Sequence, residues 1–227
     1  MPFQDLPARL AEVGDRIEQA RVRGGHGQAV TIVAVTKTYG PDAPRAAWDA
    51  GLRDAGENKV QEALEKMDSV QVPIRWHLIG HLQRNKVKQL DGFHLVHSMD
   101  SSRLADALGA AGVARGRPVD ALLQVNVSGE GTKGGVAPAD VAREAERLRQ
   151  LPGLVVRGVM TMAPFDAGEG TLRAVFRGAA ESLVRLRDAG HPATELSMGM
   201  SGDYEVAVEE GATLVRLGTV LFGARAA

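Results

Sequence analysis

The chain has 227 residues, 44% hydrophobic and 4% aromatic, with a formal net charge of −1. That length supports one large core, and the even charge balance with few aromatics removes the electrostatic and stacking basis for nucleic-acid binding. The absence of cysteine excludes disulfides, thiolate nucleophiles and zinc–thiolate sites.

The elements alternate from the start. Leu6, Leu10, Val13, Ile17 and Ala20 recur at helical spacing, so an amphipathic helix opens the chain within residues 1–22 and ends at the glycines near position 25. Asp5, Glu12, Asp15 and Glu18 in that stretch argue against a signal peptide, and no apolar run reaches membrane-spanning length. A soluble cytoplasmic protein is the expectation. The β-branched run at 31–37 reads as a buried parallel strand with Lys37 at its C-terminal end. A short helix follows at 41–50, then a strand at 52–55, a helix at 57–67, a strand at 74–80 and a helix at 83–90. The fourth strand is read at 93–98, with a helix after it to 114 capped by Asp100 or Ser101. Strand five spans 119–127, and a glycine-rich loop leads to a helix at 138–150. The remaining strands are read at 154–160, 195–198 and 213–218, separated by helices at 171–189 and 204–210.

Eight strands, each but the last followed by a helix, predict a parallel (β/α)8 barrel of the TIM type, one domain over 1–227 with the first helix as an addition. An open doubly wound sheet is the alternative. It lacks a G-x-G-x-x-G after the first strand.

Barrel chemistry sits where strands end and loops begin. Those positions here are Lys37, Asn58, His77, His81, Met99, Asn126, Met160, Ser197, Met198, Ser201, Gly202, Arg216, Gly218 and Thr219. Alone, a strand-end lysine reads as one that snorkels to solvent. Of the six lysines, however, Lys37 is the one in an apolar run, and it shares a face with two glycine turns, 198–203 and 216–219. Their amides and the Ser201 and Thr219 hydroxyls suit a phosphate dianion. A lysine nucleophile beside a phosphate cradle points to pyridoxal 5′-phosphate.

The motifs Ala34-Val35-Thr36-Lys37, the GENKVQE run at 56–62, the WHLIGHLQRNK run at 76–86, the GVMTM run at 158–162, the LSMGMSGD run at 196–203 and Arg216-Leu217-Gly218-Thr219 occur in this order. Together they resemble the pyridoxal phosphate homeostasis proteins, relatives of the alanine racemase N-terminal barrel. The resemblance spans nearly the whole chain. It implies that Lys37 holds the cofactor as a Schiff base, that Ser201, Gly202, Gly218 and Thr219 hold its phosphate, and that Arg216 faces the pyridine nitrogen. It places Asn58 beside the cofactor and Met198 along the pocket. His81 and Lys59 stand where relatives vary, and the loop at 131–135 resembles the family's lysine–glycine loop.

Other motifs have plainer readings. His77 with His81, and His94 with His97, lie on strands and loops rather than one helix face, so packing or hydrogen bonding outweighs a metal pair. Met160 and Met162 are core fillers. Glu57 is read as a cap for the helix after it, and Asn126 as a possible turn closer. No metal site is expected.

An arginine at the pyridine nitrogen leaves that nitrogen unprotonated and weakens the ring as an electron sink. A racemase also needs a second acid or base opposite its lysine, and the sequence offers only Tyr39 and Tyr204. The reading is therefore a pyridoxal phosphate carrier, acting as a monomer without substantial catalysis and meeting cofactor-dependent apo-enzymes transiently. An amino-acid racemase with a reduced site is the alternative.

Overall fold

The computed structural model describes residues 3–131 and 134–223. The apolar runs become β1 (Thr31–Val35), β2 (Asp54–Glu57), β3 (Arg75–Leu78), β4 (Phe93–Met99), β5 (Val119–Gln124), β6 (Leu154–Met160), β7 (Glu195–Ser197) and β8 (Leu214–Leu217). All pair in parallel in chain order, and the sheet closes with Thr31 of β1 opposite Leu214 of β8. The helices are α1 (Leu6–Gly24), α2 (Asp42–Asp49), α3 (Val60–Ser69), α4 (Ser102–Ala114), α5 (Val141–Leu148), α6 (Glu169–Asp188), α7 (Tyr204–Glu209) and α8 (Thr219–Phe222). The expected TIM-type barrel and its added first helix are both present.

Alternation along the strands sorts side chains into two layers. Val33, Leu95, Leu122, Met160 and Leu214 form a small separate apolar cluster. Their strand neighbours, such as Ala34, Val96, Leu123, Val159 and Val215, belong to the large cluster shared with the helices. Leu6, Val13, Ile17 and Ala20 seat α1 on α7 and α8. Fully burying one large apolar side chain contributes about 1.5–3 kcal/mol. Gly25 ends α1 at φ 70°, donating its N–H to the Arg21 carbonyl over 3.0 Å, a left-handed cap that glycine adopts without Cβ strain.

Several boundaries move. β2 lies two residues beyond the expected strand, and Leu52 enters the core from the preceding loop. The sequence Asp-Ala-Gly-Glu has poor strand propensity. Its two carboxylates are buried with partners, which is what holds it in the sheet. The segment Arg84–Gln89 is a 3-10 helix because only Val87 is buried, too little apolar face for an α-helix. A 3-10 turn at Pro138–Asp140 precedes α5, and α8 is a single turn. Ser101 rather than Asp100 caps α4, accepting from the Leu104 N–H at 3.4 Å.

Candidate functional site

At the end of β1 the chain passes from fully buried Thr36 through half-buried Lys37 to exposed Thr38. Thr38 has φ 69°, a left-handed conformation that a β-branched residue keeps only when its surroundings impose it. Those surroundings centre on Lys66 of α3, which is 5% exposed. Its Nζ donates to the Thr36 carbonyl at 2.8 Å, to Glu57 Oε1 at 2.7 Å and to Glu62 Oε1 at 2.9 Å. The Thr36 hydroxyl donates to the same Glu57 oxygen at 2.6 Å, and the Thr38 N–H donates to Glu62 Oε1. Both residues flanking Lys37 are therefore held by one buried ion cluster. Burial pushes the Glu57 carboxyl up, against the pull of Lys66 and Thr36. Burial also acts to raise Glu62, but the Lys66 and Thr38 hydrogen bonds outweigh it and hold that carboxyl below the ordinary range. Glu57 thus ends β2 as a buried acceptor and does not cap α3, where Lys59 holds the N-cap position.

The second half of the site lies on β7 and β8, with β8 directly beside β1. Gly199 sits at φ 90°, where an added Cβ would lie 2.7 Å from the Ala207 Cβ and 3.0 Å from the Tyr204 Cα. Glycine alone allows this turn to fold tightly onto α7. The Asp203 carboxylate accepts from the Met200 N–H at 2.6 Å and closes the turn; burial pushes this carboxyl up. Ser201 Oγ consequently sits over the start of α8, accepting from the N–H groups of Gly218 at 3.3 Å and Val220 at 3.4 Å. Gly202 and Thr219 are exposed at this mouth. The hydroxyls and amides there are donors suited to an anion.

Arg216 points into the barrel and is buried. Its Nη1 donates to Ser197 Oγ at 2.6 Å and its Nη2 to the Thr161 carbonyl at 3.0 Å. Burial lowers its pKa to about 10, so it remains a cation at neutral pH.

The structure thus places Lys37, Ser201, Gly202, Arg216, Gly218 and Thr219 on three adjacent strand ends, with Asn58 after β2 on the far side of β1. Met198 packs apart from these strand ends. Ser197 faces the barrel interior, so alternation turns Met198 outward, and it is fully buried in the helix-facing core. Asn126 closes a turn, accepting from Ser128 Oγ and the Gly129 N–H. His77 and His97 hydrogen-bond within the barrel, whereas His81 is exposed beside Asp100. Thr132 and Lys133 of the lysine–glycine loop lie outside the described residues. Sequence reading missed Lys66, whose burial a polar helix position does not announce, and Asp54, which sat in a run taken for an ordinary short strand.

The model of the alanine racemase N-terminal domain matches residues 9–226. The pyridoxal phosphate homeostasis protein of Aquifex aeolicus (strain VF5) is 42% identical over 221 residues, covering 96% of this chain and 97% of that protein. Its counterpart from Pseudomonas aeruginosa is 43% identical over 223 residues, covering 97% and 96%. Among solved structures, PipY of Synechococcus elongatus PCC7942 without pyridoxal phosphate superposes with a TM-score of 0.86 at 37% identity, covering 96% of this chain and all of that one. Its form with pyridoxal phosphate bound gives 0.83 at 36% identity. With its motifs, its closed barrel and near-full-length similarity in agreement, the chain belongs to the pyridoxal phosphate homeostasis protein family, within the alanine racemase N-terminal domain group.

Proposed function

We propose that this protein binds pyridoxal 5′-phosphate on Lys37 and serves its intracellular homeostasis, holding and releasing the cofactor without substantial amino-acid turnover. The observation that carries this reading is the juxtaposition of a clamped lysine at the end of β1 with the Ser201–Gly218–Val220 donor cluster on neighbouring β7 and β8. The donor set fits the group: a primary amine for an aldehyde, amides and hydroxyls for a phosphate, and a buried guanidinium for a ring nitrogen. When bound, the cofactor supplies an electron-withdrawing ring attached through its aldehyde carbon. Lys37 anchors that carbon, Ser201, Gly202, Gly218 and Thr219 bind the phosphate, Asn58 flanks the ring, and Arg216 donates to the nitrogen while remaining cationic.

That last role argues for holding rather than transforming, because a donor that keeps its proton leaves the ring nitrogen unprotonated. Neither tyrosine is offered to Lys37 as a second base. Tyr39 donates to the Gly223 carbonyl at 3.2 Å, and Tyr204 is 3% exposed within the core. The setting is cytoplasmic, the active form a monomer, and the recipients are apo-enzymes met transiently. Borohydride reduction of the protein loaded with pyridoxal phosphate, followed by peptide mapping, tests the reading: the pyridoxyl group belongs on Lys37. Its recovery on Lys86 or Lys133, or its absence, overturns the assignment.

A further inference from the structure

Arg216 is the end of a longer structure. Ser197 Oγ, which accepts from Arg216 Nη1, lies 2.8 Å from His97 Nδ1. His97 Nε2 lies 2.8 Å from His77 Nδ1, and His77 Nε2 lies 2.8 Å from Asp54 Oδ1. Arg75 donates to the other Asp54 oxygen at 2.6 Å. His77, His97 and Ser197 are at most 2% exposed, and the column runs down the barrel interior. It ends in a cavity of about 310 Å³ at the opposite mouth, lined by Arg75, His94, Asp120, Arg157 and Glu195 as well as Asp54.

With both histidine rings neutral, chemistry fixes the direction of every bond. A guanidinium only donates, so the Ser197 hydroxyl accepts from Arg216 and gives its single proton to His97 Nδ1. A neutral His97 then carries its proton on Nε2 and donates to His77 Nδ1. His77 likewise donates from Nε2 to the Asp54 carboxylate. With both rings neutral, the reverse order needs a protonated Asp54. Burial acts to raise that carboxyl, but the hydrogen bonds from His77 and Arg75 outweigh it and hold it below the ordinary range. Burial holds His97 well below the usual imidazole range, consistent with a neutral ring.

We propose that Asp54, His77 and His97 are positioning residues for Arg216, which hold its guanidinium toward the cofactor through a hydrogen-bonded column of fixed polarity ending in a carboxylate at the far mouth of the barrel. The inference rests on the reading that Arg216 faces the ring nitrogen. The column orients the arginine by making Ser197 an acceptor toward it. Asp203 is the carboxylate that acts directly on the guanidinium, and Asp54 reaches it through the hydrogen-bonded column.

Two measurements test this. Nitrogen-15 spectra of the histidine-labelled protein report the tautomers without any variant. The expected result is a neutral His97 protonated on Nε2 from about pH 6 to 8, with the His77 Nε2 carrying a proton toward Asp54. A charged His97, or His97 carrying its proton on Nδ1, overturns the proposal. The second measurement follows the pH midpoint of the bound cofactor's visible band. Asp54→Asn keeps an acceptor for His77 but deletes the anion, which disfavours the positively charged form of the lysine–cofactor linkage. The midpoint should fall by about 0.5–1 unit. Asp54→Glu, which restores the charge, should recover most of it. Arg216→Gln serves as the control. If it shifts the band while Asp54→Asn and His97→Gln do not, the column has no positioning role and the proposal fails. If Arg216→Gln leaves the band unmoved, the placement of Arg216 at the ring nitrogen fails instead, and the proposal falls with it.

Discussion

Lys66→Met is the most informative perturbation of the lysine end of the site. The substitution keeps the length and apolar stem of the side chain and deletes three hydrogen bonds of 2.7–2.9 Å. It leaves Glu57, fully buried, with only the Thr36 hydroxyl as a donor. Removing one member of a buried pair costs about 3–5 kcal/mol, because the stranded charge keeps its desolvation penalty. Glu57 relieves part of this by taking up a proton, so the loss depends on pH. Its carboxyl, already raised by burial, rises further without Lys66, while Glu62 loses the donor that lowers it. A raised folded-state carboxyl contributes stability below its unfolded pKa and loses it as pH rises through the folded value. A lowered one contributes above its unfolded pKa, and that contribution vanishes in the variant. Both effects widen the gap between wild type and variant as pH rises.

Denaturant unfolding at about pH 5 and about pH 8 should therefore show a deficit approaching 3–5 kcal/mol at the higher pH and a smaller one at the lower. Releasing Thr36 and Thr38 should also weaken cofactor retention on Lys37 in protein that remains folded. The double substitution Lys66→Met with Glu57→Leu separates the two roles. An apolar pair of similar volume restores much of the stability, but the Thr36 carbonyl and the strained Thr38 stay unbraced, so the retention defect persists. A pH-independent deficit below about 1 kcal/mol, or full retention in the double variant, refutes the reasoning.

Three further outcomes follow from the same geometry. Ser201→Ala and Thr219→Val each delete a hydroxyl at the mouth, and equilibrium titration should show pyridoxal phosphate bound about 10–100-fold more weakly by each variant, since a charge-assisted hydrogen bond contributes about 1.5–3 kcal/mol. Gly199→Ala forces a Cβ at φ 90° to within 2.7 Å of Ala207, so it should lower the unfolding free energy by at least about 1–3 kcal/mol and loosen phosphate binding together; an unchanged stability contradicts the tight turn. Loaded protein incubated with alanine, serine or glutamate in deuterated water should show at most slow α-proton exchange and no inversion, because a positioned acid or base typically contributes about 10²–10⁴-fold and the one opposite Lys37 has no candidate here. Efficient inversion abolished by Lys37→Ala favours the racemase reading.

The sequence made the apolar framework readable because most strands and helices here obey simple periods. Strand β6 is found where its apolar run lies, and α1 buries the face that its spacing announced. The failures cluster where polar side chains replace apolar ones inside the fold. Strand β2 lies two residues later than expected because Glu57 reads as the start of a helix until Thr36 and Lys66 are seen around it, and Asp54 gives no sign of its burial beside Arg75 and His77. These partners lie on β3, on α3 and just after β1, so no local pattern carries the signal. For the same reason Glu57 reads as a cap and Lys66 as an ordinary helix position, although Lys66 braces both neighbours of Lys37. Met198 differs in the opposite direction: motif position suggests the pocket, whereas it packs in the helix-facing core next to inward-facing Ser197.

Those missed residues share a logic. Each principal reactive group of the proposed site stands on a buried polar structure belonging to other strands: Lys37 on the Glu57–Lys66–Glu62 cluster and Arg216 on the column through Ser197, His97 and His77 to Asp54. Burying such groups is costly unless every charge is paired. An all-aliphatic barrel interior would give a more stable scaffold, but it would leave a strand-end lysine and a buried guanidinium without fixed orientation. Strand β2 supplies the carboxylate to both structures, Glu57 at its C-terminal end and Asp54 at its N-terminal end, three residues apart and both buried. A four-residue strand of weak propensity therefore couples the two halves of the site. A change that shifts the register of β2 should disturb the amine and the guanidinium together, whereas Lys66→Met or His97→Gln disturbs one and spares the other. Comparing cofactor retention and the visible-band midpoint in those two variants checks this division directly, and a variant that moves both readouts equally contradicts it.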